Sequence, residues 1–192
     1  MYPRPSGTRS GRSGTSSAML LLLLTAALGF ATVSSHPHGG EAESQSSGNC
    51  PANWVDASFV DMGCLYFNST AALSWDDASS LCQMGSGSTL LAITSEIQMD
   101  FIHMQLDVIT DHDGAFHYWW TAGTYDEKYP DNGEWLWWTY PTYSPVEDYV
   151  WSTNYPDGNQ NNKCLVLEPG ANEYHGINKP CWNVYYPICQ LK

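Results

Sequence analysis

Positive charge is scarce in this sequence. Seven lysines and arginines face twenty aspartates and glutamates, a formal charge of −13 over 192 residues. Nucleic acid and anionic membrane surfaces repel such a chain, so neither is expected as a partner. Charge of either sign is thin as well, at 14% of residues against roughly a quarter in ordinary soluble domains. Tyr, Trp, Asn and Ser take its place. No C-x-x-C pair occurs, and Cys50, Cys64 and Cys82 stand too far apart for a compact zinc ribbon. There is no G-x-S-x-G, P-loop or Cys-His nucleophile context, and "DHD" at 111–113 lacks a helix-spaced ligand pair. An enzyme is therefore not expected. No internal repeat is visible, and the longest apolar run, 18–31, is about 14 residues where a bilayer span needs roughly 20.

That run has another use. Arg4, Arg9 and Arg12 precede it, Leu20 and Leu24 lie within it, and the small residues Ser34 and Ser35 follow, the order of a secretory signal peptide at 1–35. Cleavage is the expectation, with an uncleaved anchor as the alternative and Met19 as an alternative start. Its removal takes three of the seven basic residues and none of the acids, and the charge becomes −16. That acidity serves solubility or fits contact with divalent cations or a mineral, and both readings stay open. Residues 36–49 contain no large apolar side chain and read as a flexible tail before a single folded domain at 50–192. All six cysteines, Cys50, Cys64, Cys82, Cys164, Cys181 and Cys189, fall in that domain. An even set in an oxidising compartment reads as three disulfides, with fifteen pairings open.

"SWDDASSLCQ" opens with Ser74 as an N-cap and places Asp77 in the capping-box position, with Ala78, Leu81 and Cys82 at helical spacing from Trp75. "TSEIQMDFIHMQL" predicts a second helix, capped by Thr94 or Ser95. Its apolar set is Ile97, Phe101, Ile102, Met104 and Leu106, and the helical period ends near Asp107. "STLLAI" between them reads as a short strand. "HYWWTAG", "EWLWW", "KCLVLEP" and "YYPICQ" are β-rich runs among Gly, Pro, Asn and Asp. The span 139–162 has almost no regular pattern, and so long a loop in a compact domain is usually functional.

The segments "CPANWVDASFVDMGCLYFN", "SWDDASSLC", "LLAITSEIQMDFI", "WWTAG", "GEWLWW", "YVW", "NYPDGNQNNKCLVL" and "YYPICQ" occur in this order across 50–191. In order and spacing the chain resembles a C-type lectin-like domain of the long form, and it is similar to small secreted invertebrate C-type lectins. The resemblance implies an α+β fold, two helices packed on two small antiparallel sheets with a long loop region. It also implies the pairings Cys50–Cys64, Cys82–Cys189 and Cys164–Cys181. Trp119 or Trp120, Trp135, Trp137 and Trp151 would be core residues. Tyr125, Tyr129, Tyr140, Tyr143 and Tyr149 remain as loop candidates for stacking on a sugar.

In sugar-binding members of that family, calcium is held by a Glu-Pro-Asn or Gln-Pro-Asp triplet, an acid before the next cysteine and an Asn-Asp pair before the one after. Here the triplet is Tyr155, Pro156 and Asp157, with the X-Pro bond expected cis. A phenol replaces the first ligand, Asn162 and Lys163 precede Cys164, and Ile177 and Asn178 take the positions of the pair. The expected sugar site is therefore Tyr155, Pro156, Asp157, Asn162 and Asn178, with Asp157, Asn162 and Asn178 as the metal donors and Asn159 and Asn161 near them. Calcium seeks six to eight oxygens and its affinity follows ligand charge, so one carboxylate where several are usual makes the site degenerate. Tight binding of Ca2+, weak sugar-assisted binding and none all stay open. An auxiliary site would draw on Asp126 and Asp131 or Asn132, and it also meets Asn162 and Lys163.

The implied function is that of a secreted, extracellular carbohydrate-binding lectin, recognising microbial surface glycans in innate immunity. The alternative is a lectin-like protein that binds protein, mineral or ice without calcium. Homo-oligomerisation is left open, and Asn68-Ser69-Thr70 forms an N-glycosylation acceptor expected on a surface edge.

Overall fold

The computed structural model describes residues 50–84, 87–128, 133–171 and 173–192. The signal segment and the tail lie outside the described residues. Nine strands and two helices follow in the order β1 (Val55–Asp56), β2 (Cys64–Phe67), α1 (Trp75–Gln83), β3 (Thr89–Leu90), α2 (Glu96–Asp113), β4 (Trp119–Asp126), β5 (Glu134–Thr139), β6 (Thr142–Pro145), β7 (Cys164–Pro169), β8 (Tyr174–Lys179) and β9 (Tyr186–Leu191).

The last strand closes the domain on its beginning. β9 pairs antiparallel with β2, from Cys64↔Leu191 to Phe67↔Ile188, and also with β3. A second antiparallel section holds β4 between β5 and β7, with β6 beyond β5 and β8 beyond β7. The two expected sheets are joined, because β9 runs parallel to β4 at Trp119↔Tyr186 and Trp120↔Pro187. All three disulfides form as the resemblance implies: Cys50–Cys64, Cys82–Cys189 and Cys164–Cys181.

Local chemistry explains both helix starts. The Ser74 hydroxyl oxygen accepts from the Asp77 N–H and donates its own proton to the Asp77 carboxylate at 2.7 Å. Ser95 accepts from the Gln98 N–H and so is the cap of α2. The end of α2 departs from expectation. The helix continues to Asp113, where Gly114 adopts φ 69° and donates its N–H to the Thr110 carbonyl. Its apolar stripe fades before the backbone does, which is why periodicity places the end too early. Within the stripe, Phe101, Ile102 and Leu106 are buried, but Ile97 and Met104 are 67% and 57% exposed. Gln98 is buried in their place. Its side-chain oxygen accepts from the Thr94 N–H at 2.8 Å and its amide donates to the Val60 carbonyl at 3.1 Å. A fully satisfied amide is stable in a core where an unpartnered one is not.

Trp119, Trp120 and Trp137 are fully buried as expected. Trp135 and Trp151 are only partly so: they pack edge to face at 4.9 Å beside the long loop, Trp151 lining one cavity and Trp135 two. The loop 139–162 is more ordered than its composition suggests. It holds β6, and its middle is laid on β8, where the Ser152 N–H donates to the Gly176 carbonyl at 2.8 Å. Gly176 permits this approach, since a Cβ there would lie 2.8 Å from the Val150 carbonyl oxygen.

Candidate functional site

Three features shape residues 154–162. Asn154 adopts a left-handed conformation, which its short polar side chain tolerates. The Tyr155–Pro156 bond is cis, as expected. Asn159 and Asn161 then close two successive Asx turns, in which the Asn159 N–H donates to Asp157 Oδ1 at 2.9 Å and the Asn161 N–H to Asn159 Oδ1 at 3.0 Å.

The fold brings Asp157, Asn162 and Asn178 together. Asn178 projects from β8 and is 2% exposed. Its Oδ1 accepts the Asp157 backbone N–H at 2.9 Å, while its Nδ2 donates to Asp157 Oδ1 at 2.7 Å and to the Asn162 carbonyl at 3.1 Å. Asn162 Nδ2 donates to the other carboxylate oxygen at 2.9 Å. The partners fix which end of each amide is which, because a carboxylate can only accept and a backbone N–H can only donate.

The donor chemistry does not fit calcium. A cation needs oxygens turned inward, whereas here two amides turn N–H groups toward the carboxylate and the Asn178 oxygen is already engaged. Asp157 is the single carboxylate in the group. The auxiliary site is similarly altered. Lys163 Nζ forms an ion pair with Glu127 Oε1, and Asp126 Oδ1 accepts the Lys128 N–H; Asp131 and Asn132 lie outside the described residues. Among the described residues, no group of three His, Cys, Asp or Glu could hold a metal ion.

Partial desolvation pushes the Asp157 carboxyl up. The Asn159 N–H, the Asn178 and Asn162 amides and the Lys179 charge outweigh it and hold the group below the usual carboxylate range. Its hold on the loop is therefore complete above the ordinary value of about 3.9 and is lost as pH falls through the lower folded-state value. Carbon-detected NMR of the Asp157 carboxyl should give a midpoint below the ordinary value, moving back up in Asn178→Ala. An unshifted midpoint in the unaltered protein would count against the clasp.

Beside the clasp lies a cavity of about 590 Å³, walled by Tyr125 and Trp135 on one side and by Pro156, Asn159, Asn162 and Asn178 on the other. Tyr125 and Trp135 pack together at 5.7 Å. Pro156 stands between this space and a second cavity, and Tyr155 lines only the second. Of the expected site residues, Pro156, Asn162 and Asn178 line the first cavity, Tyr155 lines the second beside Pro156, and Asp157 lines neither. Trp135 is a wall residue that the resemblance implied to be core. Of the remaining stacking candidates, Tyr140 is exposed, Tyr143 packs on Trp138, and Tyr149 is partly buried; Tyr129 lies outside the described residues.

Asn68 departs from its expected place on a surface edge. It is 7% exposed, and its side-chain oxygen accepts from the Thr70 N–H and hydroxyl at 3.0 and 2.7 Å.

Comparison with known proteins gives a consistent picture. Residues 71–191 match the family model of the lectin C-type domain. Human C-type lectin domain family 4 member D is 27% identical over 150 residues, covering 78% of this chain, which spans 62% of that relative's length. Human lithostathine superposes with a TM-score of 0.58 at 20% identity, over 74% of this chain and 99% of the other. The C-type lectin CEL-I of Cucumaria echinata gives 0.58 at 16% identity, over 76% and 99%. At such identities the two structures share the fold alone.

Proposed function

Since the chain belongs to the C-type lectin domain family, whose members are generally binding domains rather than enzymes, we propose that it is a secreted lectin that binds microbial surface glycans without a resident calcium ion. The observation that carries this reading is the Asp157 clasp. Three N–H donors hold the carboxylate where a cation otherwise would, so the loop is ordered before ligand arrives and little ordering cost is added on binding. The adjoining cavity supplies what a pyranose needs. Tyr125 and Trp135 offer an apolar wall for the C–H face of the ring, and the Asn159, Gln160 and Asn162 amides offer donors and acceptors for its hydroxyls. Secretion is supported by the apolar segment at 18–31 and by the three disulfides. Among the described residues no helix is long and apolar enough to cross a membrane.

A glycan array run with and without a chelator tests the proposal. Binding should be present and of the same strength in both arms, and Asp157→Ala should remove it in both. A flat array in both arms overturns the saccharide reading; binding abolished by the chelator overturns the calcium-free one.

A further inference from the structure

On the other side of Trp135 and Pro156 lies a second cavity of about 500 Å³, whose chemistry differs from the first. Its aromatic walls are Trp135 and Trp151, their ring planes 74° apart, with Tyr155 beside them. Two carboxylates, Glu134 from the start of β5 and Asp148 from the short turn before Trp151, share the same lining. Neither makes an ion pair or a side-chain hydrogen bond among the described residues. No lining residue is basic.

We propose that this cavity binds a small organic cation of the quaternary ammonium type, with Trp135, Trp151 and Tyr155 as its π faces and Glu134 and Asp148 as its counter-charge. Two rings set nearly at right angles present negative π faces to a compact cation from two sides, and a carboxylate pair adds attraction that a neutral guest cannot use. A neutral sugar could hydrogen-bond to the carboxylates but would make no use of their two negative charges. A metal ion gains little there, because hard cations require six or more oxygens and indole rings supply none. A quaternary ammonium needs no hydrogen-bond acceptor of its own, which suits the ring faces of Trp135, Trp151 and Tyr155. An attached phosphate is a liability so near Glu134 and Asp148, so the free cation should bind better than its phosphate ester. The assignment does not depend on the saccharide reading.

The test is a tryptophan-fluorescence titration of the full chain with choline, with phosphocholine, and with 3,3-dimethylbutan-1-ol, the neutral isostere of choline. Choline should bind in the millimolar range or tighter, and the isostere and phosphocholine at least tenfold more weakly. Asp148→Asn, at an exposed position, should weaken choline about tenfold; Trp151→Phe should weaken it severalfold; Gln160→Ala, on the first cavity, should leave it unchanged. Any of three results overturns the proposal: no choline binding at 10 mM, the isostere binding as well as choline, or Asp148→Asn without effect. Glycan binding that survives while choline binding fails would separate this proposal from the one above.

Discussion

Replacing Cys82 and Cys189 together by alanine should leave a chain that no longer folds at 37 °C. The bridge joins α1 to β9 across a separation of 107 residues, and in the chain-entropy description a closed loop of that length is worth about 4.7 kcal/mol. A domain of this size has roughly 5–15 kcal/mol to lose, so one substitution pair removes from just under a third to nearly all of the margin. Both cysteines are buried in the core, and alanine leaves a small void there as well. The strand that suffers is β9, which pairs with β2, β3 and β4 and so holds both halves of the fold together. The Cys164–Cys181 pair, at a separation of 17, is worth about 3 kcal/mol on the same basis. Urea denaturation followed by circular dichroism would separate the two: a folded, sharply melting Cys82→Ala/Cys189→Ala protein with a near-native midpoint contradicts the argument.

How far the sequence alone reaches depends on whether a residue's role is local. Ser74 is legible as a cap, and the cap of α2 narrows to Thr94 or Ser95, because the donor a cap satisfies lies three residues away. The runs that become β4, β5, β7 and β9 are legible because aromatic and β-branched side chains crowd them. β8 is not, since Tyr174–Lys179 contains a histidine as well as a glycine and an asparagine that are buried beneath the long loop. The end of α2 is misplaced because its last turns pack little, and the helix there is held by its Gly114 terminus rather than by an apolar stripe. Trp135 escapes for a related reason: spacing cannot distinguish a fully buried tryptophan from one that is only partly buried. The structure brings Asp157, Asn162 and Asn178 together, but the sequence treats them as a set of oxygens. An asparagine is equally a donor, and which end it turns inward is decided by partners 5 and 21 positions away.

That distinction gives the most telling substitution, Asn178→Asp. The new side chain keeps an acceptor for the Asp157 N–H but loses both donations that Nδ2 makes, to Asp157 Oδ1 and to the Asn162 carbonyl. It also sets a second carboxylate at hydrogen-bond distance from the first, where 2.7 Å now separates donor from acceptor. Two carboxylates that close cannot both stay ionised without a cation or a shared proton. In chelator at neutral pH the variant should lose about 2–3 kcal/mol, the usual cost of breaking hydrogen bonds to a charged group, and mild acidification should restore part of it. Calcium should restore more, since two charges and the neighbouring carbonyl oxygens now resemble a hard-cation site. An ion at a hundred times its dissociation constant adds about 2.7 kcal/mol to the folded state. Thermal melts with and without calcium read this directly. The unaltered protein should melt at one temperature in both, because its amides already occupy the place of the ion, while the variant should shift upward when calcium is added. A calcium-dependent rise in the unaltered protein equal to that of the variant would mean that Asn178 and Asn162 turn their oxygens, not their N–H groups, toward the site.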